Sequence, residues 1–183
     1  EFFVKEEYLH HEIRKKILNT YDTGYTDEYG LKELVENAKD SLAELDLMRE
    51  KELVQRLLEE IRKSDKGLAT YGEDQVRHAL QIGAVDVLLV SEDLRKMRVS
   101  FKCSCGNEGA VTVDREEDVK CPQCPDSTPE IVESKDLVDD LYDEAGKVGT
   151  SVELLSSDSE EGEMLMKAFG GIAAVLRFPI GVM

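Results

Sequence analysis

Apolar residues fall along this chain at two spacings, and the spacings take turns. Phe2, Phe3, Leu9, Ile13 and Ile17 fit one side of a helix over 1–20, which runs out in the polar stretch from Asn19 to Gly24. Leu31, Leu34, Val35, Ala38, Leu42 and Leu45 then recur every three or four residues and predict a helix. Leu53, Val54, Leu57, Leu58 and Ile61 predict a second one over about 48–62. Past a break at 64–67, Leu68 to Tyr71 reads as a short strand. Gly72 opens a helix carrying Val76, Ala79 and Leu80, and Gly83 stops it.

Ala84 to Val90 is almost uninterrupted and rich in β-branched residues, the pattern of a strand covered on both faces. Glu130 to Glu133 predicts another strand, and Ser134 a cap for a helix turning Leu137, Val138, Leu141 and Ala145 inward. Val152 to Leu155 is again strand-like. Asp158 or Ser159 caps a helix holding Met164, Leu165 and Ala168, and Gly170-Gly171 ends it before a strand from Ile172 to Phe178. Strands alternating with helices imply a layered α/β sandwich built from 23–98 and 130–183. It is interrupted by an insert over 99–129 and preceded by a helix and hinge over 1–22.

Charge changes the picture of what such a sandwich binds. The chain carries 40 acidic against 23 basic residues, a formal net charge of -17, which disfavours a grip on a phosphate backbone. Between Glu133 and Met166 eleven carboxylates face only Lys135 and Lys147, a solvated acidic face or one suited to a basic protein partner. No apolar run approaches the roughly 20 residues of a membrane-spanning helix, and no signal peptide opens the chain, so a reducing, cytoplasmic setting is expected. Glu1, not Met, begins the sequence, as in a piece of a longer protein.

The chemistry lies in the insert. Cys103-Ser104-Cys105 and Cys121-Pro122-Gln123-Cys124 hold all four cysteines, two close pairs separated by fifteen residues that include Gly106, Asn107 and Gly109. Two such knuckles aim four thiolates at one point, the tetrahedral set that zinc favours. Free or disulfide-bonded cysteines are the competing reading, but a bridge across one residue is strained and a reducing compartment opposes it. Four thiolates leave no open position, so one structural zinc per chain is expected, supplying most of the stability of an insert too small for a core of its own.

Other residues carry no catalytic constellation. His10 and His11 are neighbours lying ~100° apart on a helix, and His78 has no nucleophile near it in sequence. The phosphate-cradling, dinucleotide and serine-hydrolase motifs are all absent, so no direct nucleotide binding is expected. Asp139-Asp140 and Glu160-Glu161 are helix neighbours that point apart, and they read as solvated charge.

Three stretches carry a resemblance that covers nearly the whole chain. They are Glu6 to Lys16 (EEYLHHEIRKK) continuing into Tyr25 to Val35 (YTDEYGLKELV), Ala79 to Val90 (ALQIGAVDVLLV), and Glu160 to Gly162 with Phe169 to Phe178 (FGGIAAVLRF). Together they resemble the class 1 peptide chain release factors of archaea and eukaryotes, which read stop codons in the ribosomal A site. The resemblance implies that 1–22 leaves a preceding middle domain, and that the rest is a C-terminal sandwich similar to small kink-turn-binding ribosomal proteins. A minidomain is inserted where the cysteines fall. It further implies docking on a translational GTPase of the elongation factor 1 alpha type, on the ABC-type ribosome-recycling ATPase and on the ribosome. Phe169, Arg177 and Phe178 match positions in or beside that partner surface, with Leu47 and Met48 extending it.

Two family motifs are missing: the catalytic Gly-Gly-Gln, since Gly170-Gly171 precedes Ile172, and the stop-codon-reading Asn-Ile-Lys-Ser. Both belong to domains N-terminal to this region, so the chain is expected to be a non-catalytic interaction module. Pelota-type rescue factors share the last strand but lack such an insert as a rule. A zinc-containing RNA-binding protein is a third reading, opposed by the acidic balance and the lack of a basic stripe interleaved with aromatics.

Overall fold

The computed structural model describes residue 8 and residues 10–63, 67–124 and 127–180. The helix expected over 1–20 lies partly outside these; within them α1 spans His11–Lys15. The two helices expected from Leu31 onward are one continuous helix, α2, over Glu28–Ile61, because no glycine or proline interrupts the backbone between the two apolar stripes. The chain divides into two compact units, Glu1–Lys51 and Glu52–Met183, with the boundary inside α2.

In the first unit the segment before α2 is laid along it by polar contacts. The Tyr21 hydroxyl lies 2.6 Å from Ser41 Oγ, and the Gly24 N–H donates to the Glu33 carboxylate at 2.8 Å. Gly30 is buried where an added Cβ would sit 1.9 Å from the Tyr25 carbonyl oxygen. The stripe of Leu31, Leu34, Val35 and Leu42 that predicted this part of the helix is exposed, with Leu31 at 65% and Val35 at 66%. No apolar layer among the described residues covers it.

The second unit follows the expected alternation. β1 (Ala69–Tyr71), α3 (Glu73–Gln81) and β2 (Val85–Ser91) lead to β3 (Met97–Lys102), β4 (Glu108–Val113) and β5 (Glu130–Asp136). Then come α4 (Leu137–Lys147), β6 (Ser151–Leu155), α5 (Glu160–Phe169) and β7 (Ile172–Leu176). Four strands form one sheet in the order β1-β7-β2-β6, with β6 parallel to β2 and β7 antiparallel to both its neighbours.

Period-two alternation splits the core between the two faces of this sheet. Leu88, Val90, Ile172, Ala174 and Leu176 point to α3 and α4, meeting Val76, Leu80, Leu137 and Leu141. Leu89, Ala173 and Val175 point the other way, to Val54 and Leu57 of α2 and Leu165 of α5. The central strands β2 and β7 are therefore apolar on both sides, and the result is a three-layer α/β sandwich. Ser159 rather than Asp158 caps α5, its hydroxyl accepting from the Gly162 N–H at 3.0 Å, and Gly170 ends that helix at φ 70°.

The insert contributes a sheet of its own, in the order β4-β3-β5, whose small core consists of Val99, Phe101, Cys103, Val119 and Cys121. β3 begins before the first cysteine, and β5 starts after the last and runs on to Asp136. That residue, not Ser134, caps α4 by accepting from the Val138 N–H at 2.8 Å. The cap moved because Ser134 is still paired with Val99 in the sheet.

Candidate metal centre

Each pair of cysteines sits in a turn at the end of the small sheet. In the first, the Cys103 N–H donates to the Asn107 carbonyl at 2.8 Å and the Gly106 N–H to the Cys103 carbonyl at 2.9 Å. Gly106 takes φ +87°, a left-handed geometry that a side chain would strain. In the second, the Ser127 N–H donates to the Cys124 carbonyl at 3.1 Å. The two turns bring the four sulfurs within 4.8 Å of one another.

Cys103 and Cys124 are 3.2 Å apart and Cys105 and Cys121 3.7 Å, far outside the ~2.05 Å of a disulfide bond. A tetrahedron with metal–sulfur bonds of ~2.3 Å has edges of about 3.8 Å, so the set is spaced as ligands of one ion. Polar groups surround it. Asn107 Nδ2 lies 3.5 Å from Cys121 Sγ, and Ser127 Oγ lies 3.0 Å from Cys124 Sγ and 3.3 Å from Cys103 Sγ.

The acidities tell the same story. The Cys105 N–H, then Ser127, hold the Cys103 thiol down to about 6, and Asn107 holds Cys121 below the usual thiol value. Ser127 favours the Cys124 thiolate too, but Cys103, Cys105 and Cys121 crowd it and push it up to about 12. Four adjacent sulfurs cannot all ionise unless a cation neutralises them. The donor set fits a thiolate-loving metal, and the four predicted ligands Cys103, Cys105, Cys121 and Cys124 are the ones brought together.

The residues expected at the partner surface are divided between the two units. Leu47 and Met48 are exposed on α2 in the first unit, at 50% and 56%. In the second unit Phe169 lies before β7, half-buried, with its ring 5.2 Å from that of Tyr71. Arg177 and Phe178 lie after that strand, roughly 13 Å of backbone further on. There the Arg177 N–H donates to the Ala84 carbonyl at 2.7 Å and its guanidinium to the Gly149 carbonyl at 2.8 Å. Spacing alone does not single out Tyr71 or Ser127, which are ordinary strand and turn residues until their neighbours are known.

Asp140 and Glu144, expected as solvated charge, are bound instead. Buried Arg77 on α3 meets Glu73 at 2.9 Å, Asp140 at 2.6 Å and Glu144 at 2.8 Å. Burial opposes the charge on Arg77, and Glu73 and Asp140 restore it, raising its pKa. Its i,i+4 spacing from Glu73 put both groups on one helix face, the signal that would have found them.

The eRF1 domain 3 model matches residues 47–180 and the eRF1 domain 2 model residues 1–44. The chain belongs to the eRF1 family of peptide chain release factors. Within the family it is 55% identical over 181 residues to peptide chain release factor subunit 1 of Archaeoglobus fulgidus, covering 97% of this chain and 44% of that protein. It thus spans less than half the length of the curated relative.

Among solved structures it resembles the C-terminal domain of a peptide chain release factor from Methanosarcina mazei at 44% identity and TM-score 0.72, covering 87% of this chain and 100% of that one. Pelota of Archaeoglobus fulgidus is 26% identical with TM-score 0.53, over 98% of this chain and 45% of that one. A model of ribosome-bound archaeal Pelota and ABCE1 shares the fold at 24% identity and TM-score 0.55, over 97% and 42%. Against two proteins of a single organism, the eRF1-family chain stands at 55% to the release factor and 26% to Pelota, so its sequence is nearer the release factor. Among the described residues no helix is long and apolar enough to cross a membrane.

Proposed function

We propose that this chain is the docking portion of an archaeal class 1 release factor. In this role it holds a translational GTPase of the elongation factor 1 alpha type, and later the ABC-type recycling ATPase, at a terminated ribosome. The observation that carries this reading is the 55% identity to a release factor subunit across 97% of the chain. The fold shared with Pelota, which occurs with ABCE1 on the ribosome in one neighbour, agrees with the ATPase partner. Peptidyl-tRNA hydrolysis belongs to the Gly-Gly-Gln motif, which this sequence lacks, so the chain acts by binding alone.

The residues that the family resemblance assigns to the partner surface form three candidate contact areas. Phe169 with Tyr71 offers an aromatic surface at one end of β7, and Arg177 with Phe178 a mixed one at the other. Leu47 and Met48 add an exposed apolar step on α2. The metal is a structural zinc, one per chain, held by Cys103, Cys105, Cys121 and Cys124, which ties the two turns of the insert together. When bound it supplies the charge that lets four thiolates share one point.

Calorimetry with the GTPase in its GTP form tests the docking role. Binding that is lost in Phe178→Ala, Arg177→Ala or Phe169→Ala supports it. No binding by the chain, where a full-length release factor binds, overturns it. Metal analysis of protein purified without chelator tests the zinc, with one equivalent expected.

A further inference from the structure

We propose that Cys105 is a modification site, the thiolate through which electrophilic oxidants of the peroxide class open the metal centre, with Cys121 as the resolving partner. The inference rests on the zinc reading above.

The four sulfurs are not equivalent. Cys103 and Cys121 are buried, at 4% and 0% exposure, Cys124 is half-buried, and Cys105 is exposed. The buried ones are also the ones supplied with donors. Cys103 receives the Cys105 N–H and faces the Ser127 hydroxyl, Cys121 faces Asn107 Nδ2 and the N–H groups of Gln123 and Cys124, and Cys124 faces Ser127. Cys105 Sγ, by contrast, lies 3.7 Å from Cys121 Sγ and 4.0 Å from Gln123 Oε1, an acceptor oxygen. A thiolate that keeps its electron density and faces solvent is the nucleophile of the set.

The chemistry balances within the pair. Cys105 Sγ attacks one peroxide oxygen, the O–O bond breaks, and hydroxide leaves, giving a sulfenic acid. Cys121 Sγ, in the opposite turn, attacks that sulfur and expels a second hydroxide. Two sulfurs have given up two electrons, one S–S bond has formed, and two waters result after protonation. Cys103 is excluded as the resolving group because it lies one residue from Cys105 and a bridge there is strained. Left with two thiolates, Cys103 and Cys124, the site loses its ion.

The test uses the metal-loaded chain as purified. Substoichiometric N-ethylmaleimide followed by peptide mapping should label Cys105 at least about tenfold faster than the other three. Hydrogen peroxide should release zinc to a chromophoric chelator in step with a Cys105–Cys121 disulfide seen by non-reducing mass spectrometry. A cyclic diketone that traps sulfenic acids should mark Cys105 in Cys121→Ser; if that variant fails to fold, the labelling of the unaltered chain still decides. Zinc present with label spread evenly, or with a different pair bridged, overturns this inference and leaves the metal reading intact. No metal in the purified protein overturns both.

Discussion

Thr112 of the small sheet donates its hydroxyl to Glu73 of the sandwich at 2.5 Å, and the same Glu73 oxygen also receives Arg77 at 2.9 Å and Arg98 at 3.3 Å. Three donors from α3, β3 and β4 thus meet on one carboxylate oxygen, which joins the insert to the fold that carries it. Arg77 brings in Asp140 and Glu144 of α4, so the junction reaches across both helices of that layer.

Glu73→Gln should weaken this junction. It removes the charge that three donors share and should cost about 1–3 kcal/mol in denaturant unfolding. Arg77→Leu leaves Glu73, Asp140 and Glu144 facing one another and should cost more, about 3–5 kcal/mol.

The two parts of α2 should respond differently to truncation. Leu57 is fully buried under the sheet, so Leu57→Ala should destabilise by about 2–5 kcal/mol. Val35→Ala, at a position 66% exposed, should stay within about 0.5 kcal/mol. Paired thermal and urea unfolding curves would show the contrast.

Removing the metal should unfold the small sheet and spare the large one. The five residues of the former's core cannot hold three strands together, whereas Leu88, Leu89 and Val175 belong to clusters independent of the cysteines. After chelation, amide hydrogen exchange should rise at Val99 and Phe101 and stay slow at Leu88 and Leu89.

Acid should act on Glu60, whose pKa is lowered first by the Lys63 ammonium at 2.5 Å and then by the Leu68 N–H at 3.0 Å. A carboxylate lowered on folding stabilises above its unfolded value of about 4.3, and that contribution fades as pH drops through the folded value. Glu60→Gln should therefore remove part of the loss of stability below about pH 4.5 while the neutral-pH curve shifts downward. Unfolding midpoints measured across that pH range would show a shallower acid limb in the variant.

Legibility from the sequence followed the length scale of the forces involved. Ala84 to Val90 announced a central strand because apolar side chains on both faces leave no other solution, and the four cysteines announced their cluster because spacing fixes reach. The break expected near Met48 did not occur, since a change of apolar stripe does not end a helix that has nothing to stop it. Ser134 was a sound cap by type and lost to Asp136 because strand pairing with Val99 reached past it. The Arg77 network was hidden for a related reason: Asp140 and Glu144 lie more than sixty residues away, and only the packing of α4 beside α3 brings them in.

Asp136 closes β5 opposite Met97 and, as the same residue, starts α4. No slack exists between them. Any tilt of the cysteine-bearing ribbon would be passed directly to α4, which presses Leu137 and Leu141 against the central strands, as a lever bears on its fulcrum.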